Sequence, residues 1–326
     1  MSVRNILIIK TSSLGDVVHM LPAITDASRQ HPGLNIDWVV EENFAEVPAW
    51  HPSVGNILPV AIRRWRKHVF NRTTWQEISA FHRRLHQVQY DAIIDTQGLL
   101  KSALIAAFAQ GKRYGYDRHS IREPLASVLY QQGFSVDKQR HAITRNRLLM
   151  AHALGYSIET LPLEHGIAGG TYPLPNLPLP SRYVVGLHGT SRVDKEWPET
   201  HWQTLLTALA EQGISTLLPW GNAREHARAQ RLAQVTEGVQ VLPRSGLGEL
   251  AAIMQQAVGV IGMDTGLMHI AAALDKPGLA LYPVTQPALT GIQGNSRSTN
   301  TLENLSGADT QDAEAVTQRL LNLLLK

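Results

Sequence analysis

Short apolar runs alternate along the chain with longer stretches in which apolar residues recur every three or four positions. In the first half, runs at Asn5–Lys10, Asn35–Val40, Asn56–Val60 and Tyr90–Thr96 predict strands. Helical spacing appears at Val17–Gln30, Thr73–Gln87, Gly98–Gln110 and His141–Leu154. The second half repeats the rhythm. Strands are predicted at Tyr183–His188, Ile214–Pro219, Val239–Leu242, Val258–Met263 and Gly278–Tyr282, and helices at Glu199–Gln212, Ala223–Val235, Leu247–Gln256 and Gly266–Leu274. Such alternation predicts an α/β protein with parallel sheets covered on both faces. The rhythm fails over Ser157–Pro180, which holds five of the 17 prolines together with Gly166, Gly169 and Gly170. Proline cannot donate within a sheet or helix interior, so this segment reads as an interdomain connector. The predicted division is a domain over 1–165, a linker over 166–180 and a second domain over 181–326. At the end of the chain Val316, Leu320, Leu323 and Leu324 share a helical face that needs a surface to cover.

Length agrees with this division, since 326 residues at roughly 150 per domain make two domains. Hydrophobic content of 44% with 17% charged residues excludes a mainly disordered chain. The absence of cysteine excludes disulfide scaffolds, thiol nucleophiles and cysteine zinc sites. The early apolar run Ile6–Ile9, bounded by Arg4 and Lys10, is too short for a signal core, and no stretch of 18 apolar residues occurs. A cytoplasmic protein is expected, with peripheral membrane contact left open. Net charge is +3, unevenly spread: residues 1–165 carry 19 basic and 14 acidic side chains, whereas 166–326 carry 11 and 13. Either this is compositional scatter or the first half meets an anionic partner. A net +3 is poor support for nucleic acid.

Two doubly wound, Rossmann-like domains facing across a cleft would bind ligands outside the carboxyl ends of their strands. The strand-to-helix loops therefore carry the candidate chemistry. The first, Thr11-Ser-Ser-Leu-Gly15-Asp16, places Asp16 at a helix start, where it is either an N-cap or a general base. His19 is a neighbour in the same loop region. Pro22 predicts a kink or a late helix start. No GxxxxGKS/T occurs, and Gly246-Leu-Gly248-Glu-Leu-Ala251 is a weak dinucleotide signal without an acidic ribose partner. In the second half, Met263-Asp264-Thr265-Gly266 ends a strand and opens a helix. A helix start offers free N–H groups to a diphosphate, with His269 about a turn further on. The loop Gly189-Thr190-Ser191-Arg192-Val-Asp-Lys195 offers hydroxyls and a cation, and Leu218-Pro-Trp-Gly221 is followed by the carboxylate of Glu225. Acceptor, donor and cation chemistry on three loops reads as a nucleotide-sugar site. Arg63, Arg64, Trp65, Arg66, Lys67 and His68 form the densest basic run. It is either a solvated loop or an oxyanion contact, and it also suits an anionic membrane surface.

The segments Lys10-Thr-Ser-Ser-Leu-Gly-Asp16, Ala61-Ile-Arg-Arg-Trp-Arg-Lys67, Asp194-Lys-Glu-Trp-Pro198, Leu218-Pro-Trp-Gly221 and Met263-Asp-Thr-Gly-Leu-Met-His269 together resemble glycosyltransferase family 9. The resemblance runs from the first strand almost to the C-terminus. Asp-Thr-Gly-x-x-His marks the wider family, while Arg-Arg-Trp-Arg-Lys points to members that add the first heptose of lipopolysaccharide. The resemblance implies a GT-B fold and inversion of configuration. It implies ADP-L-glycero-β-D-manno-heptose as donor and Kdo₂-lipid A as acceptor, at the inner face of the inner membrane. Asp16 then resembles the general base. Thr190, Ser191, Lys195, Glu225, Thr265, Gly266 and His269 resemble donor-binding positions, with Asp264 beside them. Lys195 would offset charge growing on the leaving diphosphate. Ser245 stands where a relative has Met, so any contact there would be through backbone or would be lost. Arg63, Arg64, Arg66 and Lys67 are expected to meet acceptor carboxylates and phosphates, with Arg122 and His141 as further candidates. No Asp-x-Asp occurs, so no obligatory metal or other cofactor is expected. The alternatives are a related transferase acting on a later core acceptor, a sugar-nucleotide epimerase, or a noncatalytic binder of nucleotide sugars.

Overall fold

The computed structural model describes residues 3–190 and 192–325. The chain forms two compact units, Met1–Pro162 and Leu163–Lys326. In the first, β1 (Asn5–Ile9) leads to α1 (Leu14–Val18) and α2 (Leu21–Gln30), and β2 (Asn35–Glu41) to α3 (Glu46–Ala49). Then β3 (Val54–Val60) leads to α4 (Ile62–Trp65) and α5 (Arg72–Leu85), and β4 (Gln89–Asp95) to α6 (Leu100–Phe108). After β5 (Gln110–Tyr116) and β6 (Gln132–Phe134) comes α7 (Ala142–Leu154). The second unit runs β7 (Tyr183–Leu187), α8 (Glu199–Glu211), β8 (Ser215–Leu218), α9 (Ala223–Ala233), β9 (Val239–Val241) and α10 (Leu247–Gln256). It closes with β10 (Gly259–Met263), α11 (Gly266–Ala273), β11 (Gly278–Tyr282), β12 (Leu302–Ser306) and α12 (Ala313–Leu324).

Both sheets are parallel, with strand orders β3-β2-β1-β4-β5-β6 and β9-β8-β7-β10-β11-β12. Each reverses direction beside its first strand, at β1/β4 and at β7/β10. A doubly wound sheet opens a crevice at that point. The central strands lie between helices, which is why Ile6–Ile9 and Val260–Met263 are apolar at nearly every position. On one face of the first sheet Leu7, Ile9, Val39 and Ile93 pack against Leu85 and Ala106. In the second unit Trp197, Trp202, Leu205, Ile261 and Leu281 form the core. The amphipathic terminal helix α12 covers that core through Val316 and Leu320.

The expected helix over Val17–Gln30 is two helices. The chain breaks at His19–Met20, and Pro22 sits in the first turn of α2, where its missing N–H costs nothing. The boundary between units falls after Pro162 rather than at 165, and the expected linker over 166–180 clusters with the second unit. Its backbone is tied there: His165 N donates to Asn295 Oδ1 at 2.8 Å, and Gln255 Nε2 donates to the carbonyls of Ala168 (3.2 Å) and Gly170 (2.9 Å). Proline content predicts the lack of strand and helix correctly, but these long-range bonds make the segment part of a domain. Among the described residues no helix is long and apolar enough to cross a membrane.

Candidate active site

In the first unit the loops after β1 and β4 are locked together. Gln97 Oε1 accepts from Thr11 N (3.0 Å), Ser12 N (3.1 Å) and Thr11 Oγ1 (3.3 Å). Lys10 Nζ donates to Thr96 O at 2.9 Å. Beneath them Asp95 is fully buried, accepting from Gln97 N (2.9 Å), Gly98 N (3.2 Å) and Tyr130 Oη (2.7 Å). Gly98 turns at φ +66, and a Cβ there would lie 3.0 Å from the Ile121 side chain, so the turn favours glycine. Burial lowers the Lys10 pKa, partly opposed by Asp16 and Asp95. Burial raises that of Asp95, opposed by the Tyr130 bond.

On this platform α1 begins. Asp16 Oδ2 accepts from Ser13 N (2.8 Å) and Ser13 Oγ (3.0 Å), closing a capping box. Its other oxygen, Oδ1, has no hydrogen-bond partner among the described residues, and the residue is half-buried. The sequence left cap and base as alternatives; the geometry permits both, one oxygen for each. Close by, the guanidinium of Arg145 lies 4.6 Å from the Tyr116 ring centroid and donates to Ser120 O at 2.6 Å. Lys10 and Tyr116 both feel the charges of Asp16 and Arg145. Sequence reasoning missed Gln97 and Arg145, because neither belongs to a motif and each is recruited from a distant element.

The remaining first-unit candidates all lie at the carboxyl edge of that sheet, spread along it. Arg63–Lys67 follow β3, Arg122 follows β5 and His141 follows β6. With strands about 4.8 Å apart, β3 and β5 are roughly 19 Å apart, with β1 and Asp16 midway. Arg63 N donates to Glu41 Oε1 at 3.0 Å, and its guanidinium lies 5.7 Å from the Phe44 ring centroid. Arg64 differs from the others. Its guanidinium bonds Glu42 at 3.1 and 3.0 Å and Glu77 at 2.9 Å, so its charge is already matched. Arg66, Lys67 and Arg122 are exposed. His141 is buried and caps α7 by accepting from Ile143 N at 3.2 Å, with His19 at a 5.5 Å ring-centroid distance.

In the second unit four adjacent strands, β9, β8, β7 and β10, end in the loops that carry every described donor-binding candidate. After β10, Asp264 Oδ2 accepts from Lys195 Nζ and from Thr285 Oγ1, both at 3.1 Å. Thr265 is the N-cap of α11 but makes no side-chain cap bond, and its Oγ1 is buried without a hydrogen-bond partner among the described residues. Gly266 opens the helix and His269 is buried in its first turn and a half. After β7, Thr190 is buried and its carbonyl accepts from Arg224 at 2.9 Å. Ser191 lies outside the described residues. Glu196 braces this loop against α9 by pairing with Arg224 at 2.7 Å and with Arg228. After β8, Glu225 accepts from Gly221 N and Asn222 Nδ2, both at 2.7 Å. A Cβ on Gly189 would come within 2.8 Å of Glu225, so glycine there admits the carboxylate. Ser245, after β9, donates to Pro243 O at 3.0 Å. His188 is pushed down to about 4, by burial first and the Arg228 charge second, so it is neutral at pH 7 beside this site.

Chemically, this edge offers a free helix start, an orphaned hydroxyl and a fixed ammonium to an oxyanion, with a carboxylate two strands from that helix start for hydroxyl groups. Among the described residues no three His, Asp or Glu side chains converge as metal ligands would.

The chain is similar along most of its length to known proteins. The model of glycosyltransferase family 9 (heptosyltransferase) matches residues 78–320. Lipopolysaccharide heptosyltransferase 1 of Escherichia coli K12 is 47% identical over 294 residues, covering 90% of this chain and 92% of that one. The Pseudomonas aeruginosa protein of the same name is also 47% identical, covering 90% and 82%. The solved structure of E. coli heptosyltransferase WaaC with ADP superposes with a TM-score of 0.88 at 44% identity, covering 97% of this chain and 98% of that one. The same enzyme with ADP-2-deoxy-2-fluoro heptose gives 0.86.

Proposed function

The chain belongs to glycosyltransferase family 9, the heptosyltransferases, and from that membership we propose that it transfers L-glycero-D-manno-heptose from ADP-L-glycero-β-D-manno-heptose to Kdo₂-lipid A, inverting the anomeric centre. The observation that carries the reading is the Lys195–Asp264 pair beside the uncapped start of α11. Lys195 and the Thr265–Gly266 backbone bind the paired phosphates and offset their charge as ADP departs. Asp264, itself steadied by the Thr285 hydroxyl, holds the ammonium in place. Glu225 takes the ribose or sugar hydroxyls. A Kdo hydroxyl attacks the anomeric carbon, its proton passes to Asp16, and the bond to the diphosphate oxygen breaks on the opposite face. Arg63, Arg66, Lys67 and Arg122, spread along the first sheet edge, suit an acceptor with several separated anionic groups. The exposed Arg66 and Lys67 also favour peripheral contact with an anionic inner membrane.

The test is to incubate the protein with ADP-heptose and deacylated Kdo₂ acceptor and follow the products by mass and NMR. One added heptose in α linkage is expected, with stoichiometric ADP. ADP release without a new glycoside would defeat the proposal in favour of hydrolysis or epimerisation. Transfer only to an already heptosylated core would reassign the acceptor. Within the donor site, Lys195→Ala removes a charge-assisted contact worth about 1.5–3 kcal/mol, so kcat/KM for ADP-heptose should fall roughly 10- to 100-fold. Unchanged donor kinetics would take Lys195 out of phosphate binding.

A further inference from the structure

We propose that one face of the first unit, built from the exposed aromatics after α4 and the outer side of α6, inserts into an anionic lipid bilayer. This rests on the membrane contact read above and assigns it a hydrophobic component. The helix α6, Leu100-Lys-Ser-Ala-Leu-Ile-Ala-Ala-Phe108, is apolar on both sides. Ser102, Ala103 and Ala106 are buried towards the unit, while Leu100, Leu104 and Phe108, at four-residue spacing, are 42, 44 and 53% exposed. A surface helix facing water would present polar residues on that side.

The neighbouring segment adds Phe70, which is 100% exposed, Val69 and the 60% exposed Trp75. Trp75 Nε1 donates to Val69 O at 2.8 Å, so the indole's polar edge is satisfied locally and the ring is left apolar. Between α5 and α6 runs an apolar groove of about 470 Å³ lined by Trp65, Trp75, Ile78, Phe81, Leu104 and Phe108. Exposed apolar surface of this extent marks an interaction site.

Charge identifies the occupant. Residues 62–108 contain eight Lys and Arg against three Asp and Glu. Glu77 pairs with Arg64, Asp95 is buried, and Asp91 accepts from the backbone N–H groups of Arg4 and Asn5, so seven other Lys and Arg still outnumber the acids on this stretch. Arg66, Lys67 and Arg72 are exposed, and Lys101 is half-buried on the groove. A second copy of this chain would bring the same cations face to face. Apolar insertion ringed by Lys and Arg matches the interface of a bilayer with anionic headgroups.

The experiment is co-sedimentation of the full chain with vesicles of phosphatidylglycerol and phosphatidylethanolamine, and with phosphatidylcholine vesicles. The wild type should bind the anionic vesicles, with a component that survives about 0.5 M salt, where exposed charges are screened. The F70S/W75S double variant should bind at least about tenfold more weakly and lose that salt-resistant component. Its melting temperature and its turnover on deacylated acceptor should match the wild type. Equal binding by F70S/W75S would overturn insertion while leaving the electrostatic contact intact. No wild-type binding to anionic vesicles would overturn both, and transfer to the soluble acceptor would still judge the enzymatic reading separately. Concentration-dependent dimerisation abolished by F70S/W75S, without vesicle binding, would make the face a self-interface and overturn the proposal.

Discussion

Asp16→Asn lowers kcat by about 10²- to 10⁴-fold, the usual contribution of a general base, and leaves the dissociation constant for ADP-heptose unchanged. Asparagine separates two roles that one carboxylate holds here. Its side-chain oxygen can still accept from Ser13 N, so the capping box of α1 is largely kept, as is the turn clasped by Gln97. What disappears is the capacity of the second oxygen to take a proton. Thermal unfolding should therefore move little while turnover collapses. A melting temperature lowered in step with activity would mean that Asp16 acts through the fold of α1. Turnover within threefold of wild type would remove it from the chemistry.

The order of the elements was readable in the sequence where strands are buried on both faces. Ile6–Ile9 and Gly278–Tyr282 are apolar because helices cover both sides, and that demand leaves a clear run. β5, Gln-Gly-Lys-Arg-Tyr-Gly-Tyr, is half exposed, and β6 and β12 are edge strands, so none needs an apolar run and none was predicted. The donor-site candidates were readable for a related reason. In a parallel sheet each strand end supplies one loop, and consecutive loops must lie side by side. Tertiary capture of charge was not readable. Arg64 sits in a basic run that suggests a free cation, yet Glu42 and Glu77, 22 and 13 positions away, neutralise it. The burial of Lys10 and the clasp of Gln97 likewise depend on pairing across 85 or more residues, which no local pattern encodes.

Arg147→Met should cost the first unit more stability than any other single change considered. Asp26 on α2 is fully buried, and Arg147 on α7 bonds it through Nε at 2.6 Å and Nη2 at 3.2 Å. The same Nη2 donates to Leu161 O at 2.9 Å, where the first unit ends. One guanidinium thus fastens two helices and the exit of the chain. Burial raises the Tyr156 hydroxyl pKa, and Asp26 raises it further, as a carboxylate charge held in an apolar setting should. Methionine fills much of the arginine volume but leaves Asp26 charged and unmatched by its main cation. Removing one partner of such a pair typically costs about 3–5 kcal/mol, which for a unit of this size lowers its melting temperature by on the order of 10 °C. Replacing both partners, as Asp26→Leu with Arg147→Met, removes the stranded charge as well and should recover most of that loss. Calorimetry that resolves the two units should show the first transition moving and the second staying in place. A double variant as unstable as Arg147→Met would mean that the bond to Leu161 O, rather than the ion pair, carries the effect.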